Sequence, residues 1–238
     1  MIKEENILLP GLSKQFRMLR EHAELKGLSI LVVGSASEEI AKEFAILSEN
    51  HIELIVEDFD SLMTSKLVVG ETDGVTVKMM DFHLTDYEKA QFDLIYAQGS
   101  TASFERNKII KELKRILKPG GILCVGELVL DGGSAPQFVK NIFSNSGMLP
   151  LRSANFADYF IERNFEILLE EDFTNTLHRY YTANLKKLVV AKEELSEDEQ
   201  KYYKKVLKKV NHESGAFLKQ GADKHMGFKA LICKRGED

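Results

Sequence analysis

Four sets of residues stand where short apolar runs stop, and their types suit one kind of ligand. Gly34 closes the run Ser29-Ile-Leu-Val-Val and is followed by Ser35 and Ala36. Glu57 and Asp58 follow Ile52-Glu-Leu-Ile-Val56, and Asp81 with Phe82 follows residues 75–80. Gln98 lies in the loop Ala97-Gln-Gly-Ser-Thr101, just after Phe92-Asp-Leu-Ile-Tyr96. A turn of small residues lets the backbone come close to a ligand. An acid after the second run can accept both hydroxyls of a ribose. An Asp after the third can accept an adenine amino group, and the neighbouring Phe82 can stack on the ring. In that order, the set fits an adenosine-containing ligand.

The elements that must position these residues alternate between β-rich runs and helical ones, which predicts parallel βαβ units in an α/β fold. Strands are expected at 29–34, 52–56, 75–80, 92–96 and 122–125. A helix after the first carries Ile40, Phe44 and Leu47 on one face, and a short one covers 60–67. A long amphipathic helix covers 104–117 and is expected to stop at Pro119-Gly120-Gly121. In such sheets ligands bind outside the carboxyl ends of the strands, where the four sets lie. The second half is less regular. Helices are expected at 135–145, at 155–163 and over most of 177–210, where Ser196 and Glu199 form a capping box. A sixth strand covers 165–169, residues 211–225 read as loop, and a last strand covers 228–233. The chain thus divides into an N-terminal helical segment (1–28), a core (29–130), and cap helices with the last two strands of the same domain (131–238).

The 238 residues, 44% of them hydrophobic, can fill one sizeable core. Thirty-two Lys and Arg against 37 Asp and Glu leave a formal charge of −5, which argues against a sequence-independent grip on nucleic acid. Lysines 201, 204, 205, 208 and 209 read as a solvated helix face. Cys124 and Cys233 lie in apolar runs and read as core thiols. The six histidines are scattered with no paired spacing, so no metal site is expected. No apolar run reaches the ~18 residues of a membrane span, and the acidic start MIKEENILLP is unlike a signal peptide. A cytoplasmic protein without membrane partners is expected. A dehydrogenase would want Gly-x-Gly-x-x-Gly after the first strand, where Gly34-Ser-Ala-Ser-Glu-Glu keeps one glycine.

Phe92-Asp-Leu-Ile, then Ile110-Lys-Glu-Leu-Lys-Arg-Ile-Leu-Lys-Pro-Gly-Gly-Ile-Leu123, resembles the strand-four to strand-five block of class I S-adenosylmethionine (SAM)-dependent methyltransferases. The likeness covers about 29–130. Gln98-Gly-Ser100 through Ser103-Phe-Glu-Arg106 is similar to the small-molecule branch with a helical lid, methyltransferase type 11. The resemblance implies a doubly wound, mostly parallel seven-stranded sheet, with strand seven antiparallel between five and six, and a small helical cap. It implies SAM as cofactor and a small-molecule acceptor, with a homodimer as a possible assembly. Cofactor-binding positions would be Gly34, Ser35, Ala36, Glu57 or Asp58, Asp81, Phe82 and Gln98, with Asp58 preferred for the ribose. Tyr159, His178 and Tyr180 are candidates for the acceptor pocket. No catalytic residue is assigned.

The chain departs from the family's first motif, acid-x-Gly-x-Gly-x-Gly. Val32 stands for the acid, Ala36 for the second glycine and Glu38 for the third. Ser35 and Glu38 have capping-box spacing, which gives Glu38 a purely structural reading. If its carboxylate instead fills the cofactor's place, the fold would be a non-catalytic binding or scaffold protein.

Overall fold

A computed structural model describes residues 7–70 and 74–237. Seven strands form one sheet: β1 (Ile30–Val33), β2 (Ile52–Val56), β3 (Val75–Met79), β4 (Phe92–Gln98), β5 (Leu117–Leu130), β6 (Phe165–Asp172) and β7 (Met226–Arg235). Their order is β3-β2-β1-β4-β5-β7-β6. The first four neighbour pairs are parallel. β7 runs antiparallel to both β5 and β6, so the sheet is mixed at that edge. The expected insertion of strand seven between five and six is what the pairing shows.

Alternate residues of the central strands feed two cores, as a two-residue side-chain period requires. Val32, Leu54, Leu94 and Cys124 pack on one face. Against them lie α1 (Lys14–His22), α2 (Glu38–Ser48), α5 (Gln137–Asn145), α7 (Leu177–Glu194) and α9 (Lys204–Lys219). Leu31, Ile55, Ile95 and Val125 pack on the other face, against α4 (Arg106–Ile116) and α6 (Phe156–Ile161). α3 (Phe59–Val69) leads into β3, and α8 (Glu197–Tyr202) precedes α9. Both cysteines are buried, and burial pushes the Cys124 thiol up to about 12, so both are inert packing groups.

Two expectations are corrected. Pro119-Gly120-Gly121 is not a turn between α4, which stops at Ile116, and the next strand, but lies within β5, where residues 118–121 bulge out between the pairings of Leu117 with Phe92 and Ile122 with Leu94. Lys118 in that bulge is tied back to Asp93 at 2.8 Å. Residues 211–219 are not loop but the second half of α9. Ser214 and Gly215 are poor helix formers there. Burial of Ala216 and Phe217, with Phe217 stacked on Tyr181 at 4.5 Å, overrides local preference. The Ser196–Glu199 capping box forms as expected and starts α8.

Candidate functional site

A cavity of about 610 Å3 opens at the carboxyl ends of β1, β2 and β4, a size usual for small-molecule sites. Gly34, Ser35 and Ala36 form its first wall. Gly34 has φ +110°, and a Cβ there would lie 2.6 Å from that of Ser100, whose hydroxyl donates to the Val33 carbonyl. Only glycine meets both conditions. Ala36 is left-handed at φ +63°. The Ser35–Glu38 capping box does not form. Instead the Glu38 carboxylate accepts the Ala36 N–H at 3.1 Å and the Ser65 hydroxyl of α3. Glu38 is buried and faces α3, and it is not a wall of the cavity.

The paired acids after β2 have different occupations. Asp58 caps α3, accepting the Ser61 N–H at 2.8 Å and the Ser61 hydroxyl at 2.7 Å. Glu57 accepts no hydrogen bond from the described residues and lines both the main cavity and an adjoining one of about 360 Å3. Partial burial, then the nearby charges of Asp81 and Asp58, raise its carboxyl above the usual range. Asp81 and His83 line the adjoining cavity and pair through Nδ1 at 2.5 Å. Phe82, almost wholly buried, is a wall of the main cavity, and the exposed Phe104 is a wall of its neighbour. Sequence reasoning passed over Phe104, which stands in a helix-leading loop with no pattern of its own.

Gln98 reaches the cavity, but its amide is engaged elsewhere. Nε2 donates to the carbonyls of Pro10 at 2.7 Å and Leu12 at 2.9 Å, while Oε1 accepts the Tyr96 hydroxyl. Its role is therefore to pin the N-terminal segment, whose Leu8, Leu9 and Pro10 become a wall. No sequence signal marked those residues. The loop after β4 is pinned in a similar way. Glu127, wholly buried at the end of β5, accepts the Thr101 N–H at 2.5 Å and its hydroxyl at 2.6 Å. Burial pushes its carboxyl up to about 7 despite those bonds and the attraction of Arg106. Arg106 is buried too, and its Nη2 has no hydrogen-bond partner among the described residues.

The cap closes the far side. Ser146, Gly147 and Met148 after α5, Tyr180 on α7, and Lys209 and Glu213 on α9 line the cavity. Tyr180 thus lines the cavity, and Lys209, exposed like the other lysines of its helix face, borders it as well. Tyr159 and His178 are not cavity walls. Tyr159 belongs to α6 on the opposite face of the sheet, stacked under the Arg163 guanidinium at 3.6 Å and bonded to Asn107. His178 lies on the solvent side of α7. The first turn of a helix over a strand end does not reveal which sheet face it takes. Among the described residues no group of three or more His, Cys, Asp or Glu could hold a metal ion, and no helix is long and apolar enough to cross a membrane.

Residues 31–125 match the family model of a methyltransferase domain. No curated protein matches the sequence. Many solved structures share the fold. Phosphoethanolamine N-methyltransferase 2 of Haemonchus contortus, crystallised with S-adenosyl-L-methionine, aligns at TM-score 0.73 and 15% identity, over 98% of this chain and 54% of that one. Geranyl diphosphate C-methyltransferase of Streptomyces coelicolor A3(2), with Mg2+, geranyl diphosphate and S-adenosyl-L-homocysteine, aligns at 0.67 and 12% over 94% and 79%. The [4+2]-cyclase SpnF aligns at 0.70 and 17% over 93% and 80%, so this fold alone does not define a reaction. Over residues 31–125 the chain is thus similar to a methyltransferase domain, and its sheet is one that solved methyltransferase structures share.

Proposed function

We propose that the chain transfers a methyl group from SAM to a small-molecule acceptor. The observation that carries this reading is the convergence of the Gly34 turn, Glu57 and Phe82 on one cavity, with Asp81 beside Glu57 in the adjoining one. Glu57 takes the ribose hydroxyls, because Asp58 is tied to α3. Asp81 accepts the adenine amino group, and Phe82 and Phe104 flank the ring. The Gly34–Ala36 turn faces the methionine end. Gln98 serves indirectly, by holding Leu8–Pro10 in place.

SAM, when bound, supplies a methyl group already activated on a sulfonium. What remains for the chain is placement of the acceptor and exclusion of water, which together account for a large share of the rate in such transfers. The Leu8–Pro10 segment and Met148 supply apolar cover at the cavity. The Thr101–Glu127 bonds hold the loop carrying Ser100, Ala102 and Ser103 against it.

One observation favours a second reading, in which the fold binds without methylating: Glu38 occupies the Ala36 amide. Its carboxylate is turned toward Ser65 and away from the cavity, which favours the first reading. Calorimetric titration with SAM and with S-adenosylhomocysteine decides between them. Micromolar binding of either supports the enzyme. Absence of heat and of any thermal shift at millimolar ligand refutes it, and binding regained in Glu38→Gly would then identify a degenerate site.

A further inference from the structure

The cap wall of the cavity carries two opposite charges with few partners among the described residues. Glu213 and Lys209 lie one turn apart on the same side of α9, and both line the cavity. No ion pair joins them, and Lys209 makes no hydrogen bond among the described residues. The Glu213 carboxylate accepts one bond, from the Ser146 hydroxyl at Oε1, which leaves Oε2 without a hydrogen bond among the described residues, and the residue lines the cavity. The charged or titratable groups facing Glu213 are Lys209 and His212 from α9 and Tyr180 and Tyr181 from α7. A half-buried carboxylate with a single neutral donor is under-satisfied, and a cationic group is the partner that stabilises it most. A lone ammonium at the mouth of the same cavity calls for an anion.

We propose that the methyl acceptor is a small zwitterionic amine, its nitrogen held at Glu213 and its carboxylate or phosphate at Lys209. This rests on the methyl-transfer reading above and names its substrate class. The acceptor arrives as an ammonium, which has no lone pair. Glu213 Oε2 removes one proton, the freed nitrogen lone pair forms the N–C bond to the SAM methyl, and the C–S bond breaks to leave a neutral thioether. The product is again an ammonium, and Glu213 releases its proton to solvent, one per methyl transferred. Burial, the largest influence on Glu213, raises its carboxyl above the usual range, which makes it a better proton acceptor than an exposed carboxylate.

The test uses the whole chain and its variants Glu213→Gln, which keeps an oxygen for Ser146, and Lys209→Met. Calorimetry comes first: SAM affinity should stay within twofold of wild type in both. A tenfold loss would mean that these side chains hold the cofactor, and would overturn the proposal. If wild type binds no SAM, the methyl-transfer reading fails and this one with it. Methyl transfer from labelled SAM is then offered to glycine, β-alanine and O-phosphoethanolamine, to ethanolamine as an amine without an anion, and to catechol as neither. At least one zwitterion should accept methyl, at least tenfold faster than ethanolamine. Glu213→Gln should lower that rate about 100-fold at pH 7, and the loss should shrink as pH approaches the acceptor's own pKa. Lys209→Met should raise KM for the zwitterion and leave ethanolamine unchanged. The same zwitterion titrated into the S-adenosylhomocysteine complex should bind at least tenfold more weakly to Glu213→Gln. SAM binding with transfer to catechol alone, or to none of the amines, overturns the proposal. So does an amine turnover that Glu213→Gln leaves unchanged.

Discussion

The sheet wall and the cap wall of the cavity are built differently. On the sheet side the shape comes mostly from backbone and from side chains already bonded to protein partners, Glu57 being the exception. Gly34 turns where no other residue fits, Asp58 caps α3, Gln98 holds Pro10 and Leu12, and Glu127 holds Thr101. On the cap side Lys209 and one oxygen of Glu213 have no protein partner among the described residues. A wall whose groups are mostly held by protein partners is rigid and suits a ligand that never changes. A wall of unengaged charges on a packed helix selects among ligands that vary. On the proposed reading, placement of the cofactor and choice of the acceptor fall to different walls, so each can be altered alone.

Because the sheet wall is tied so closely to the rest of the fold, damage to it should cost the most. Glu127→Ala strands the Thr101 donors and the Arg106 guanidinium in a buried place, an expected loss of about 3–5 kcal/mol in urea denaturation. Glu127→Gln should be milder and should change the pH dependence. The carboxyl is raised from 4.5 unfolded to about 7 folded, so between those values the native chain binds more protons than the unfolded one. Wild-type stability should therefore fall as pH rises through that window, by about 3 kcal/mol in all, and Glu127→Gln should flatten the slope. A slope unaltered by the substitution would place the titration elsewhere.

Gly34→Val combines a disallowed φ with collision against Ser100, for about 3 kcal/mol and loss of measurable SAM binding. Thermal denaturation should show Tm lowered by about 2–4 °C per kcal/mol. The two acids after β2 sharpen the contrast further. Glu57→Ala should weaken SAM binding by about 1–3 kcal/mol with little change in Tm. Asp58→Ala should do the reverse, costing about 1 kcal/mol of stability through its lost cap while affinity holds. Equal effects on binding from both would return the ribose to Asp58. The smallest effect belongs to the cap. Ser146→Ala removes one half-buried bond to Glu213 and should change stability by less than about 1 kcal/mol, with SAM affinity untouched.

Local rules made much of this molecule legible in its sequence. Apolar runs of four to seven residues, alternating with helical spacing, could bury both faces only as a parallel sheet, and the breakers at their ends put Gly34, Glu57, Asp58, Asp81 and Gln98 along one edge. Ser196 and Glu199 were readable as a helix start because a capping box is a contact between neighbours in sequence. What long-range packing decided was not readable. Ser35 and Glu38 have the same spacing, yet Ser65, 27 positions beyond Glu38, draws that carboxylate away. Gln98 has the type of a ligand-binding amide, and the carbonyls of Pro10 and Leu12 claim it from 86 to 88 positions away. Tyr159 and Tyr180 are both aromatics in amphipathic helices; the sheet face each helix covers sends one to Arg163 and the other to the cavity. Spacing along a chain specifies contacts within a few residues, whereas partners a hundred residues apart are chosen by how complete cores close, and the cavity walls are made of such partners.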